Sequence, residues 1–100
     1  MAISLTSKQR AHLRSLAQTI KATHQIGKEG VTPELVDSID EAFNTRELVK
    51  LTVLKTAAGE LRDIGETVAG RTRSTLVEVI GRKVVLYRPD PDDPKIVLPR

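Results

Sequence analysis

Two kinds of apolar periodicity alternate along this chain, and that alternation limits the fold more than any other feature. Three segments carry apolar residues at helical spacing, and four carry the alternating or β-branched runs typical of strands. The predicted helices cover 7–19, the segment from residue 33 onward and 58–69; the predicted strands cover 22–26, 48–54, 75–80 and 84–87, with a tight turn at 81–83. The order α-β-α-β-α-β-β predicts an α/β (α+β) domain in which helices pack on a four-stranded mixed sheet.

Capping residues support the boundaries of these helices. Thr6 and Gln9 have the spacing of a capping box at the start of the first helix. Thr32 precedes Pro33, which fits the first helical position because the missing N–H is not needed there. Gly70 is predicted to end the third helix.

The size and composition favour one reduced, intracellular domain. The chain has 100 residues, 39% of them apolar, so we predict a single domain over 1–100 with a polar, proline-broken tail from about 90 to 100. It contains no cysteine, which favours the cytoplasm over an oxidising compartment. Residues 1–10 lack a signal-peptide pattern, and no apolar run approaches the roughly 18 residues of a membrane span.

The charges are segregated along the chain. The net charge is only +3, but residues 1–28 contain bases and no acid, whereas 29–47 contain six acids against Arg46 alone. Bases return after residue 70, as Arg71, Arg73, Arg82, Lys83 and Arg88. Such segregation predicts one basic and one acidic surface, and a basic surface suits a nucleic acid.

The sharpest local motif is Gly27-Lys28-Glu29-Gly30, between a predicted strand and a predicted helix. Without a Cβ, a GxxG loop lets the backbone approach a sugar-phosphate chain, and its N–H groups can donate to phosphate oxygens. Lys28 would add a cation. The alternative interpretation is a simple strand-to-helix turn, because a GxxG pair by itself is common.

Aromatic residues are scarce, and this restricts how a nucleic acid could be read. Phe43 and Tyr87 are the only two rings, and Phe43 is predicted to lie in the core. Proteins that read single strands usually stack bases on several rings. We therefore predict contacts mainly with phosphate, ribose and shape, which favours folded RNA.

The chain offers few residues for catalysis or metal binding. His12 and His24 are too few and too far apart in sequence to suggest a metal site. The acidic cluster at 90–93 lacks the pattern of a calcium loop. We expect a protein that is not an enzyme and that has no cofactor and no small-molecule substrate.

Several stretches, in order along nearly the whole chain, resemble the CRM domain proteins, in particular the bacterial single-domain YhbY-type ribosome assembly factors. They are LTSKQR (5–10) with Leu13 and Leu16-Ala17, IGKEGVT (26–32), ELVK (47–50), VIGR (79–82), LYRP (86–89) and the ending LPR (98–100). The resemblance implies a fold similar to the C-terminal domain of translation initiation factor 3. It also implies RNA binding and association with precursors of the large ribosomal subunit.

The resemblance also implies which residues contact RNA. The loop role falls on Gly27, Lys28 and Gly30, and the basic surface would comprise Lys8, Arg10, Arg14, Arg82 and Arg88. Glu29 departs from this scheme, because an acid in the loop weakens phosphate binding unless it faces away. The pair Arg71 and Arg73 is extra and would either widen the contact surface or solvate a turn.

Together these observations favour a cytoplasmic accessory factor that binds structured ribosomal RNA during large-subunit assembly. The alternative is a protein–protein adaptor that presents the acidic second helix, residues 34–41, to a basic partner.

Overall fold

A computed structural model of the protein describes residues 4–100. Residues 1–3, which begin the segment searched for a signal peptide, lie outside that range. The described chain forms, in order, α1 (Ser7–Ala17), β1 (His24–Ile26), α2 (Pro33–Ala42), β2 (Leu48–Val53), α3 (Leu61–Thr72), β3 (Thr75–Ile80) and β4 (Lys83–Tyr87). The predicted order α-β-α-β-α-β-β is confirmed. No helix in this range is long and apolar enough to cross a membrane.

Both predicted helix starts are confirmed by their hydrogen bonds. The Thr6 hydroxyl accepts from the Gln9 amide at 3.1 Å, and the Gln9 side chain accepts from the Thr6 amide at 3.1 Å, which completes the capping box. At α2 the Thr32 hydroxyl accepts from the Leu35 amide at 3.1 Å, and Pro33 occupies the first turn. Local sequence was sufficient here because each cap contacts residues only three positions away.

The predicted bounds of α3 are wrong at both ends. The helix starts three residues later than predicted, after Gly59, whose φ of +101° is incompatible with a helix. It continues through Gly70 and ends at Thr72, and Arg73 takes the left-handed conformation with φ 55°. Thr72 is fully buried, so tertiary packing carries the helix past a glycine that local propensity predicted as its end.

The four strands form one mixed sheet in the order β1-β2-β4-β3. β1 runs parallel to β2, and the other two pairings are antiparallel. A two-residue turn joins β3 to β4, and Gly81 supplies its positive φ of +57°. A bulge interrupts β3 between Leu76 and Glu78. This order makes β3 and β1 the two edges of the sheet.

The helices cover both faces of the sheet. α1 packs on one face, around Leu13, Ala17, Leu48, Val77, Val85 and Tyr87. α2 and α3 pack on the other face, around a larger core formed by Ile26, Ile39, Phe43, Val49, Leu51, Val53, Ile64, Val68, Ala69, Leu76, Val84 and Leu86. Neighbouring strand residues therefore belong to different cores, as expected when successive side chains point to opposite faces.

The C-terminal tail is docked on the body through a buried carboxylate. Glu47 is only 6% exposed and accepts the backbone amides of Asp90, Lys95 and Ile96 at 2.7, 2.9 and 2.7 Å. Ile96 and Leu98 then pack against the α1 core, whereas Val97 between them is exposed. Glu47 thus fixes a segment about 45 residues away in sequence.

Candidate nucleic-acid interface

The GxxG motif forms a tight turn between β1 and α2. The Gly30 amide donates to the Gly27 carbonyl at 2.9 Å, and Gly30 has a φ of +72°, which residues with a Cβ rarely adopt. Lys28 and Glu29 occupy the tip of the turn and are both exposed. The sequence prediction of a strand–turn–helix context is therefore confirmed.

The tip of this turn offers donors as well as a cation. The Gly30 amide is used within the turn, but within residues 4–100 the Lys28 and Glu29 amides donate to no protein acceptor. They lie just before the N-terminus of α2, where the helix dipole adds positive potential. The Glu29 carboxylate opposes this potential, so the net charge around the turn depends on the basic side chains that surround it.

A second loop lies against the glycine turn. The Leu54 amide donates to the Ile26 carbonyl at 2.8 Å. A Cβ built on Gly27 would lie 3.4 Å from Leu54 Cδ1 and 3.6 Å from Thr56 Oγ1, which are ordinary van der Waals distances, so the two loops lie side by side here. Between these contacts stands Lys55, which is exposed and which the sequence interpretation missed. The available signal was its place directly after a strand, but only the parallel pairing of β1 and β2 shows that the two strand ends meet.

Arg82 lies at the same end of the sheet and supports these loops. From the β3–β4 turn, its Nε donates to the Val53 carbonyl at 2.7 Å and its Nη2 to the Leu54 carbonyl at 2.8 Å. The guanidinium therefore holds the end of β2, which in turn contacts Gly27. These bonds give Arg82 a part in shaping the loops, and its contact with RNA stays a prediction.

Arg71 also belongs to this end. Its Nη1 donates to the carbonyl of Val31 at 3.1 Å, directly after the glycine turn. Arg73, which caps α3, instead lines a surface depression together with Asp40 and Arg88. The structure thus separates two arginines that are neighbours in sequence, and only Arg71 lies next to the turn. We call the turn at 27–30, the segment 54–56, the hairpin turn at 81–82 and Arg71 together the loop end.

Two of the predicted basic residues of α1, Arg10 and Arg14, lie along the β3 edge and are not part of the loop end. Arg10 donates to the carbonyl of Leu76 at 2.8 Å and to that of Val77, both at the bulge. Arg14 lies 4.0 Å from Glu78, and its side chain is 47% exposed. Lys8, in the first turn of α1, is exposed.

The β3 edge also carries a base that the sequence interpretation missed. Arg62, from α3, lines the same surface cleft as Arg10 and Arg14. Glu66 and Glu78 line that cleft as well, so its charge is mixed.

Arg88 is placed at the opposite end of the sheet from the glycine turn. It follows Tyr87, which pairs with Leu48 at the start of β2, whereas the turn lies beyond the end of β2. Its Nη1 bonds the Asp40 carboxylate and the Thr72 carbonyl, the latter at 2.9 Å. Its guanidinium lies 4.7 Å from the centre of the Phe43 ring. These contacts join α2, α3 and β4, and the structure does not bring Arg88 to the predicted loop site.

Neither aromatic ring is available to stack on a base. Phe43 is 4% exposed, which confirms the prediction that it lies in the core, and Tyr87 is 2% exposed. Burial raises the pKa of the Tyr87 hydroxyl, and the Glu47 carboxylate raises it further. Any nucleobase contacted by this protein must therefore meet side chains other than Phe43 and Tyr87.

The two histidines and the acids do not assemble a metal site. Within residues 4–100 no three His, Cys, Asp or Glu side chains are grouped closely enough to hold a metal ion. His24 contacts Thr23 through Nδ1 at 2.7 Å and Ser38 through Nε2 at 3.0 Å. Burial lowers the pKa of His24, and Arg46 adds to the decrease, while the bond to Ser38 opposes it.

The acidic helix is confirmed in outline. Glu34, Asp37 and Glu41 are exposed on α2. Asp40, which the sequence grouped with them, is paired with Arg88 across the fold. The acidic surface is therefore smaller than the sequence suggested.

The fold and the loop end define a small α/β domain. Its distinguishing element is a GxxG turn that joins the parallel edge strand β1 to the helix α2. The sequence model of the CRS1 / YhbY (CRM) domain family matches residues 5–88. The chain belongs to this family.

Similar proteins agree with that assignment. The chain is 38% identical to "Probable RNA-binding protein YqeI" of Bacillus subtilis, over 95% of this chain and 99% of that protein. It is 32% identical to a Haemophilus influenzae protein named "RNA-binding protein", with 97% of each chain covered. The solution structure of the Staphylococcus aureus protein SAV1595 is similar, with 41% identity, a TM-score of 0.82, and coverage of 96% of this chain and all of that one.

Proposed function

We propose that this protein binds structured ribosomal RNA through the loop end and associates with precursors of the large ribosomal subunit. The observation that carries the proposal is the exposed turn at 27–30, with two amides that have no acceptor within the described residues and Lys28 at its tip. The names of the relatives support RNA as the ligand. We place this binding role in the cytoplasm and assign it no chemistry.

The electrostatics of the loop end favour a phosphate chain. Lys28, Lys55 and Arg71 come from three different loops or helices and lie around one turn, so their positive potentials add at that turn. Arg82 holds the 54–56 loop in place through its bonds to the Val53 and Leu54 carbonyls. A continuous sugar-phosphate backbone can contact several of these groups at once. Each phosphate whose charge is neutralised by a lysine or arginine releases counterions.

The direct test is the substitution Lys28→Asp, leaving both glycines in place. The exposed tip has no core contact, so the fold should persist. Affinity for a ribosomal RNA fragment should fall at least about tenfold, because a charge-assisted bond is lost and an anion is placed beside Glu29. Thermal melting checks the fold, and a titration at fixed salt measures binding.

The matched control is Lys95→Asp, which makes the same charge change on an exposed side chain of the tail. This variant should lose much less affinity, because the tail is anchored by Glu47 at the start of β2, away from the turn. Equal losses in the two variants would mean that net charge alone matters. An intact Lys28→Asp protein with unchanged affinity would remove the turn from the interface.

The cellular part of the proposal is tested by gradient fractionation of a tagged strain. The protein should sediment with large-subunit precursors, and the Lys28→Asp variant should leave those fractions. Nuclease treatment of the captured partner separates RNA binding from the adaptor alternative, since a partner that survives digestion intact would favour binding through the acidic face of α2. Recovery only in ribosome-free fractions without RNA would contradict the proposal.

A further inference from the structure

Near the glycine turn lies the last cross-strand row to which all four strands contribute a residue. Ile80 of β3 pairs with Lys83 of β4, Lys83 pairs with Thr52 of β2, and Thr52 pairs with Gln25 of β1. Residues paired in register lie on the same face of a sheet. The four side chains therefore form a continuous line across the sheet, next to the turn.

This row faces the side of the sheet on which α1 packs. Val84 and Val53, the neighbours of Lys83 and Thr52, belong to the core of the opposite face, so the row must point towards the α1 side. α1 covers the adjacent positions: Val85 is buried in its core, and Lys50 donates to the Ala17 carbonyl at 3.2 Å.

The row itself extends beyond this cover. Gln25 is exposed, Thr52 and Lys83 are partly exposed, and Ile80 is 56% exposed. A large β-branched side chain with more than half of its surface in water, at the end of a folded sheet, is an available apolar contact. It is not needed by either core of the described structure.

The charge of the row suits an anionic partner. Lys83 forms no ion pair within residues 4–100, and the row contains no acid. The nearest acid along β3 is Glu78, which lies 4.0 Å from Arg14. The surface is therefore apolar at Ile80, polar at Thr52 and Gln25 and cationic at Lys83, and it continues into the loop end.

We propose that this row, Ile80, Lys83, Thr52 and Gln25, receives an unpaired nucleotide of the RNA whose backbone the glycine turn holds. The inference rests on the proposed function and narrows its substrate to helical RNA interrupted by a bulged or looped-out nucleotide. In a continuous duplex the faces of the bases are stacked and hidden, whereas an extruded base exposes its face to an aliphatic side chain. With both aromatic rings buried, Ile80 is the side chain placed to provide that contact.

Each group of the row has a distinct part in this recognition. Ile80 packs on the nucleobase or the ribose. The Thr52 hydroxyl and the Gln25 side-chain amide, which lie in the same row, form hydrogen bonds with the polar edge of the nucleobase. The Lys83 ammonium contacts the adjoining phosphate. The arrangement contacts one nucleotide by apolar surface and its neighbours by charge.

The test compares two RNA probes, a ribosomal RNA hairpin carrying one bulged nucleotide and the same hairpin fully paired. Ile80→Ala should weaken binding of the bulged probe about five- to tenfold, the scale expected when an aliphatic contact is lost, with little change for the paired probe. The slope of affinity against salt should stay unchanged, because no charge is altered. Lys83→Ala should instead weaken both probes and reduce that slope by about one.

Val97→Ala is the matched control, since Val97 is 82% exposed but lies in the tail. It should bind both probes like the wild type. Ile80→Thr, which keeps the β-branched shape, repeats the measurement if the alanine variant proves less stable in thermal melting.

Three results would overturn the inference, and they are distinguishable from one another. A wild-type protein that does not distinguish the two probes, or a folded Ile80→Ala protein that binds the bulged probe normally, refutes the row while leaving the Lys28 result standing. A wild-type protein that binds neither probe refutes the proposed function as well.

Discussion

Replacing Arg88 by alanine separates two roles for a residue that the sequence places in the RNA-binding surface. In the structure its guanidinium bonds Asp40, the Thr72 carbonyl at the end of α3 and the face of Phe43. Its side chain is 22% exposed. We therefore expect Arg88→Ala to lower stability and to leave RNA affinity nearly unchanged in the folded protein.

The size of the stability loss follows from these three contacts. The Asp40 side chain is 49% exposed, so solvent screening limits the pair to about 1 kcal/mol. The charged bond to the Thr72 carbonyl contributes about 1.5 kcal/mol, and the contact with the Phe43 ring about 0.5 kcal/mol. Together the loss is about 3 kcal/mol, which lowers Tm by about 12 °C in a domain of this size.

Thermal melting and an RNA titration at several salt concentrations, both on the same protein sample, decide between the roles. Arg88→Lys is the control, because it keeps the charge but not the planar fork that reaches two acceptors. It should recover little of the lost Tm. If Arg88→Ala melts within about 2 °C of the wild type but reduces the salt slope by about one, the residue contacts phosphate and the structural reasoning is refuted.

Two further predictions concern Glu47 and His24. Glu47→Ala removes the acceptor of three amides, so it should lower the free energy of unfolding by about 3 kcal/mol and release the tail. Trypsin should then cleave after Lys95 faster than in the wild type. Unchanged cleavage would show that Ile96 and Leu98 suffice to hold the tail. The pKa of His24 is lowered from 6.5, so the unfolded chain binds a proton more readily. Stability should therefore fall as the pH drops below 6.5, and His24→Gln should flatten the dependence of Tm on pH in that range; an equally steep dependence in the variant would assign it to other groups.

Local sequence determined the order of elements, the two capped helix starts and the glycine turn. These features depend on residues a few positions apart, as with Thr6 and Gln9 or Gly27 and Gly30. Hydrophobic periodicity also separated strands from helices, because each element must bury one side. The bounds of α3 were predicted wrongly for the complementary reason, since burial of Thr72 extends the helix beyond a glycine.

Only the tertiary structure decided which basic residues lie close together. The parallel pairing of β1 with β2 brings Lys55 to the glycine turn, and the antiparallel pairing of β2 with β4 sends Arg82 to that end and Arg88 to the other. Strand direction and register join residues tens of positions apart, and no local pattern encodes them. The sequence by itself therefore predicted a domain with segregated charge and a GxxG turn between a strand and a helix, while the pairing of strands determined where its charged side chains and its exposed row are placed.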